Sequence, residues 1–110
     1  IWITFPDPQP KKPMKRLTSE RFLGHYKKFL QPGSPIHLKT DSQELHEYTL
    51  EEVIRPAGYT IEYATADLYA TPAMDHPEIP SLAEAQMTQT FYEQMFLKEG
   101  KPITYIKFRL

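Results

Sequence analysis

Four prolines fall within eight positions of this chain, at Pro6, Pro8, Pro10 and Pro13, directly after the short apolar run Ile1-Trp2-Ile3. Proline has no N–H for a strand ladder, breaks a helix interior, and biases the residue before it toward extended backbone. Neither a strand nor a helix can therefore run through residues 5–13. A β-type run must end before the prolines and a helix must begin after them, with a stiff loop between. That loop sets one acid, Asp7, beside four cations, Lys11, Lys12, Lys15 and Arg16. Asp7 is then a carboxylate in a nearly preset position, able to recognise or orient a ligand, where a plain proline-rich linker would carry only solvated lysines. The preceding strand favours a site, because ligands of open α/β sheets bind just beyond the carboxyl ends of strands.

The net charge of −1 conceals a segregation. Seven cations lie between Lys11 and Lys28 against Glu20 alone, and eleven acids lie between Asp41 and Glu93 against Arg55 alone. The first block suits phosphates, although Lys27 and Lys28 equally suit the wet side of a helix. The second block repels polyanions unless individual acids make particular contacts. A chain of 110 residues that is 40% hydrophobic fits one globular unit with a modest core. Without cysteine no disulfide can form. No apolar run approaches the roughly 20 residues that span a bilayer, and no signal sequence opens the chain, so the expected location is cytoplasmic, away from membranes. A chain starting at Ile1 without methionine reads as truncated or processed. The histidines, His25, His37, His46 and His76, show neither HxxxH spacing nor cysteine partners, so no metal site is expected.

Periodicity sets the expected elements. Residues 19–30 place Phe22, Leu23, Tyr26, Phe29 and Leu30 on one helical face, with Thr18 or Ser19 as N-cap and Gln31-Pro32-Gly33 as the stop. Residues 35–40 read as a strand that leads through Asp41-Ser42 into a second helix of about a dozen residues, ending near Arg55. Residues 59–68 alternate like another strand. Residues 69–82 carry Pro72, Pro77 and Pro80 and read as a loop long enough to suspect a function. A helix over 82–98, closing at Gly100, and a strand over 102–110 complete the chain.

The segments Phe5-Pro-Asp-Pro-Gln-Pro-Lys-Lys12, Lys15-Arg16-Leu17-Thr18, His37-Leu-Lys-Thr-Asp41, Thr90-Phe-Tyr-Glu93 and Gly100-Lys-Pro-Ile103 resemble, in this order, the bacterial tRNA (guanine-N(7)-)-methyltransferase family. The resemblance implies an α/β fold, the second half of a Rossmann-like S-adenosylmethionine-dependent methyltransferase with a mixed sheet and flanking helices. Residues 1–110 would be a single unit, the C-terminal part of a domain that lacks its N-terminal cofactor-binding half here. The implied activity of the parent protein is transfer of a methyl group from S-adenosylmethionine to N(7) of a guanine in tRNA. Asp7 matches the family's catalytic and cofactor-contacting acid. Lys11, Asp41 and the block Thr90, Phe91, Tyr92 and Glu93 match substrate-contacting positions, with Lys12, Lys15 and Arg16 as RNA contacts.

Two segments depart from the family pattern. Gln9 stands where a tryptophan is often found, which weakens any stacking role there, and Pro13-Met14 replaces a longer, more basic tract, which lowers the expected affinity for RNA. The glycines, Gly24, Gly33, Gly58 and Gly100, are not in GxGxG spacing, so the cofactor pocket is expected to be incomplete and the isolated piece inactive. Its first strand, having lost a neighbour, would favour self-association.

Guanine N(7) offers a lone pair and no proton, so methyl transfer to it asks for positioning rather than a general base, and Asp7 is cast as an orienting group. Asp41 before a helix could equally be an ordinary cap. In the last helix, Phe91, Met95 and Phe96 read as core, leaving Tyr92 and Glu93 free to face outward. A noncatalytic RNA- or partner-binding module on the same half fold is the competing class, and binding of S-adenosylmethionine separates the two.

Overall fold

The computed structural model describes residues 1–70 and 72–110. Its strands β1 (Trp2–Thr4), β2 (Pro35–Thr40), β3 (Thr60–Thr65) and β4 (Thr104–Arg109) form one mixed sheet in the order β1-β2-β4-β3. β1 is parallel to β2, and β4 runs antiparallel to both β2 and β3. Period-2 alternation assigns the two faces. Ile3, Leu38 and Ile106 sit in register across three strands on one face. Trp2, His37 and Lys107 share a register row on the other.

The first face is covered by α1 (Glu20–Lys27) and by α2 (Gln43–Tyr48), which runs on through a π-helical turn (Thr49–Ile54) into α3 (Arg55–Ala57). Leu23, Leu45, Val53 and Ile54 from these helices bury against Ile3, Ile36, Leu38, Ile106 and Phe108. Ser19 caps α1, its side chain accepting the Phe22 N–H, and α3 ends at Gly58 with φ of +75°, a conformation glycine adopts without strain. Inside the long helix the Thr49 hydroxyl donates to the Leu45 carbonyl at 2.8 Å. It also meets Thr18 Oγ1 at 2.7 Å. The Leu45 carbonyl is thus shared by the N–H and the hydroxyl of Thr49, at the point where the π-helical turn begins.

The second face is covered by α4 (Pro80–Met87) and α5 (Phe91–Lys98), where Leu68, Leu82, Ala85, Ile103 and Tyr105 form a smaller core. The α/β class, the mixed sheet and the flanking helices agree with the sequence expectation. The expected helix over 82–98 is two helices, because Thr88 and Thr90 are extended and Thr90 starts a new helix as its N-cap. The expected strand over 59–68 stops at Thr65, and the chain then forms short 3-10 turns at Leu68–Ala70 and Ala73–Asp75. Thr71, within the expected loop, lies outside the described residues. Phe29 misses the core at 70% exposure, because α1 ends at Lys27. Among the described residues, no helix is long and apolar enough to cross a membrane.

Candidate functional site

β1 leaves the sheet under tension. The Phe5 N–H donates to the Lys39 carbonyl at 2.8 Å, extending the ladder by one residue. Phe5 then adopts φ of +49° and Gln9 φ of +44°. Left-handed backbone is uncommon for non-glycine residues and costs on the order of 1–3 kcal/mol in such sites. Prolines alone therefore do not set this loop. Packing of the Phe5 ring on Phe96, 5.8 Å between centroids, and an Asx turn complete it, in which Asp7 Oδ1 accepts the Gln9 N–H at 3.0 Å.

The loop opens on a cleft of about 330 Å³ at the carboxyl ends of β1 and β2. Trp2, Thr4 and Phe5 form one wall, Glu84 and Thr88 the other, and Lys39, Thr90 and Glu93 line it between them. Two of these are charged and almost wholly buried, Lys39 at 2% exposure and Glu93 at 0%. Lys39 Nζ donates to the carbonyls of Ala85 and Thr88, where α4 ends. It also stands 2.8 Å from Glu93 Oε2. The Tyr69 hydroxyl donates to Glu93 Oε1, and burial together with this carboxylate raises the Tyr69 pKa, which keeps the phenol protonated as a donor. Glu93 Oε2 has no directed hydrogen bond; Lys39 faces it as a charge, off the line that a bond requires. The Glu93 carboxylate at the border of the cleft is thus held from two sides, by the Tyr69 hydroxyl and the Lys39 charge.

Thr90 and Glu93 are brought together by helix geometry. The Thr90 hydroxyl accepts the Glu93 N–H at 3.2 Å, the N-cap bond of a Thr-x-x-Glu start. The Glu93 side chain turns inward to Lys39 and Tyr69. Glu93 thus faces in and Phe91, expected in the core, is 72% exposed, while Tyr92 faces outward as expected at 63% exposure. Met95 is partly exposed, and of the aromatic residues assigned to the core only Phe96 packs against it. Lys39 supplies the counter-charge that makes the inward carboxylate tenable.

The remaining predicted residues are not in the lining of this cleft. Asp7, exposed, follows the lining residue Phe5 by two positions. Lys11, Lys12 and Lys15 are exposed. Arg16 is not: at 3% exposure its Nε donates to the Pro8 carbonyl at 2.7 Å and its Nη2 to Glu44 at 3.1 Å. Asp41 is half-buried after β2, and the cap of α2 is Ser42, whose hydroxyl accepts the Leu45 N–H at 3.1 Å. Asp41 makes no side-chain bond among the described residues, so the reading of it as the cap does not hold.

Lys39, Tyr69 and Glu84 were not singled out from sequence. The available signal was alternation along β2, which puts Lys39 on the same face as His37 and opposite the apolar Ile36 and Leu38. Among the described residues, no group of three or more His, Cys, Asp or Glu side chains could hold a metal ion.

Residues 1–106 match the family model described as "Putative methyltransferase". The chain is 46% identical over 110 residues to the tRNA (guanine-N(7)-)-methyltransferase of Bacteroides thetaiotaomicron, covering 100% of this chain and 40% of that protein. It is 45% identical over 112 residues to the protein of the same name from Christiangramia forsetii, covering 100% of this chain and 46% of that protein. The Porphyromonas gingivalis protein of that name is 44% identical over 110 residues, with 100% and 42% covered. The chain thus spans less than half the length of these curated relatives. With the family model running over nearly all of it and relatives of one name matching it end to end, the chain belongs to the tRNA (guanine-N(7)-)-methyltransferase family.

Proposed function

We propose that this chain is the C-terminal, substrate-facing part of a cytoplasmic enzyme that methylates N(7) of a guanine in tRNA with S-adenosylmethionine. The observation that carries the reading is the cleft at the carboxyl ends of β1 and β2, lined by Thr90 and by Glu93, whose buried carboxylate is held by Lys39 and Tyr69. The N(1)–H and N(2)–H₂ edge of guanine offers donors for such an acceptor. Its Hoogsteen edge offers only acceptors, which suits Lys11.

S-adenosylmethionine, when bound, supplies an electrophilic methyl group. Asp7 is the residue of this chain that would contact it: one carboxylate oxygen holds the Asx turn, and the group is exposed beside the cleft. No glycine lines the cleft, so close backbone approach to the donor falls to the part of the enzyme beyond these residues. The work of Asp7, Asp41, Thr90 and Glu93 is to fix the base so that the N(7) lone pair points along the bond to be broken. Fixed geometry of this kind lowers a barrier by about 7–11 kcal/mol when fully realised. Guanine gains positive charge as the methyl group arrives, and carboxylates at the base edge stabilise it. No proton leaves N(7), so no general base is required.

The test uses the full-length protein, an unmodified tRNA transcript and S-adenosylmethionine with a labelled methyl group. Digestion to nucleosides followed by mass spectrometry should find 7-methylguanosine. Label at another position would overturn the N(7) assignment, and no transfer together with no binding of S-adenosylmethionine by titration calorimetry would leave the noncatalytic module as the better account.

A further inference from the structure

We propose that Lys39 is a positioning residue of the cleft, acting on the bound base through Glu93; this rests on the reading that the cleft takes guanine. An ammonium group has three N–H donors. Lys39 directs hydrogen bonds to the carbonyls of Ala85 and Thr88, and its charge faces Glu93 Oε2 at 2.8 Å. One buried group thus fixes both the end of α4 and the carboxylate at the start of α5. Tyr69 holds Glu93 Oε1 and the Lys39 charge holds Oε2, so the orientation of this cleft-lining carboxylate is set from both sides.

Without Lys39, a carboxylate at 0% exposure has no counter-charge. It must then take up a proton or swing out of the cleft. A protonated Glu93 presents an O–H where guanine also presents N–H groups, and a displaced one presents nothing. Either change weakens the hold on the base while leaving the Asp7 side of the site intact. Lys39 is almost wholly buried among two carbonyls and the carboxylate, so its influence on the base passes through Glu93.

The experiment compares Lys39→Met, Glu93→Gln and the double variant of the full-length protein on a tRNA transcript. Lys39→Met is expected to lower kcat/KM for tRNA by about tenfold or more, with the Kd for S-adenosylmethionine within about twofold of the parent. In the Glu93→Gln background, the same Lys39→Met change should cost less than about threefold, because the partner through which it acts is gone. The double variant leaves no unpaired buried ion, so it should melt above Lys39→Met, yet below the parent because the bonds to the Ala85 and Thr88 carbonyls are lost. If Lys39→Met alone does not fold, the comparison of Glu93→Gln with the double variant carries the test. Activity of Lys39→Met within about threefold of the parent overturns the proposal, as does an equal loss in both backgrounds, which would mark a direct contact. A parent protein that transfers no methyl group to tRNA overturns the functional reading itself, and with it this role.

Discussion

The Arg16 guanidinium lies 4.3 Å from the centre of the Tyr48 ring, joining the proline loop to the far end of α2. Its Nε reaches back to the Pro8 carbonyl at 2.7 Å, so one buried side chain closes the loop on itself and docks it. Its ion pair with Glu44 is the minor part, because Glu44 is exposed and exposed pairs contribute little. A loop fastened in this way can carry exposed lysines on a fixed base.

Arg16 and its neighbouring lysines should therefore separate by experiment. Arg16→Gln is expected to lower stability by about 1–3 kcal/mol, read as a shift in a urea melt. Lys12→Gln and Lys15→Gln should leave the melt unchanged and weaken tRNA binding, each removing up to about 0.9 from the log–log salt slope, or about 0.7 on single strands. An unchanged slope would make these lysines ordinary surface charges.

Asp7→Asn should lower turnover far more than stability. Only one of the Asp7 oxygens serves the fold, as acceptor for the Gln9 N–H, and an asparagine oxygen can take that bond. Single-turnover methylation by the Asn variant within about threefold of the parent, roughly 0.7 kcal/mol in barrier, would make Asp7 a turn residue and nothing more.

Neighbours Asp41 and Ser42 are expected to divide function from folding. Ser42→Ala removes the cap of α2 and should cost about 1 kcal/mol. Asp41→Asn removes a charge with no side-chain bond among the described residues. It should leave the melt in place while raising KM for tRNA. Equal melting losses in both variants would count against a substrate role for Asp41.

His37 links stability to acid. Its ring stacks on Trp2 with centroids 4.0 Å apart, and its Nδ1 meets the Tyr105 hydroxyl at 2.9 Å. Tyr105 donates onward to Ser81 at 2.7 Å, so the His37 nitrogen is the donor in that pair. Burial first, then Lys107 and Arg109, push the His37 pKa down to about 4 against the partial opposition of Glu62. Between about pH 6.5, the ordinary value, and pH 4 the unfolded chain takes up a proton that the folded one refuses. Stability is therefore full above that window and falls as pH drops through it, by at most about 1.4 kcal/mol per unit. His37→Phe keeps the stack and removes the titration, so its denaturation midpoint should change less between pH 7 and pH 5. Parallel curves for the two proteins would rule His37 out as the cause.

Much of this architecture could be read from the chain, because it follows from backbone rules. Prolines ended β1, alternation along residues 35–40 and 102–110 announced β2 and β4, and a capping serine announced α1. What could not be read was where single polar groups would go. Lys39 and Arg16 look like surface cations in a sequence, and only tertiary packing brings carbonyls, a carboxylate and a ring around them. Glu93 was expected to face outward for the same reason: helical spacing says which residues share a side, not that a lysine from a distant strand waits opposite. The break between α4 and α5 was hidden because Thr88-Gln89-Thr90 contains neither glycine nor proline.

The strand that is last in sequence lies inside the sheet, between β2 and β3. β3 has no other strand beside it among the described residues, and β2 faces β1 alone until β4 arrives. During synthesis the sheet therefore cannot form as its strands emerge; it must wait until residues 104–109 have left the ribosome. Pairing of β2 with β4 then closes a loop of more than sixty residues, a slow, non-local step that leaves β3 and the underside of α4 uncovered in the meantime. The sheet is completed only once β4 is synthesised, and a nascent chain stalled just short of β4 should be the form most in need of a chaperone.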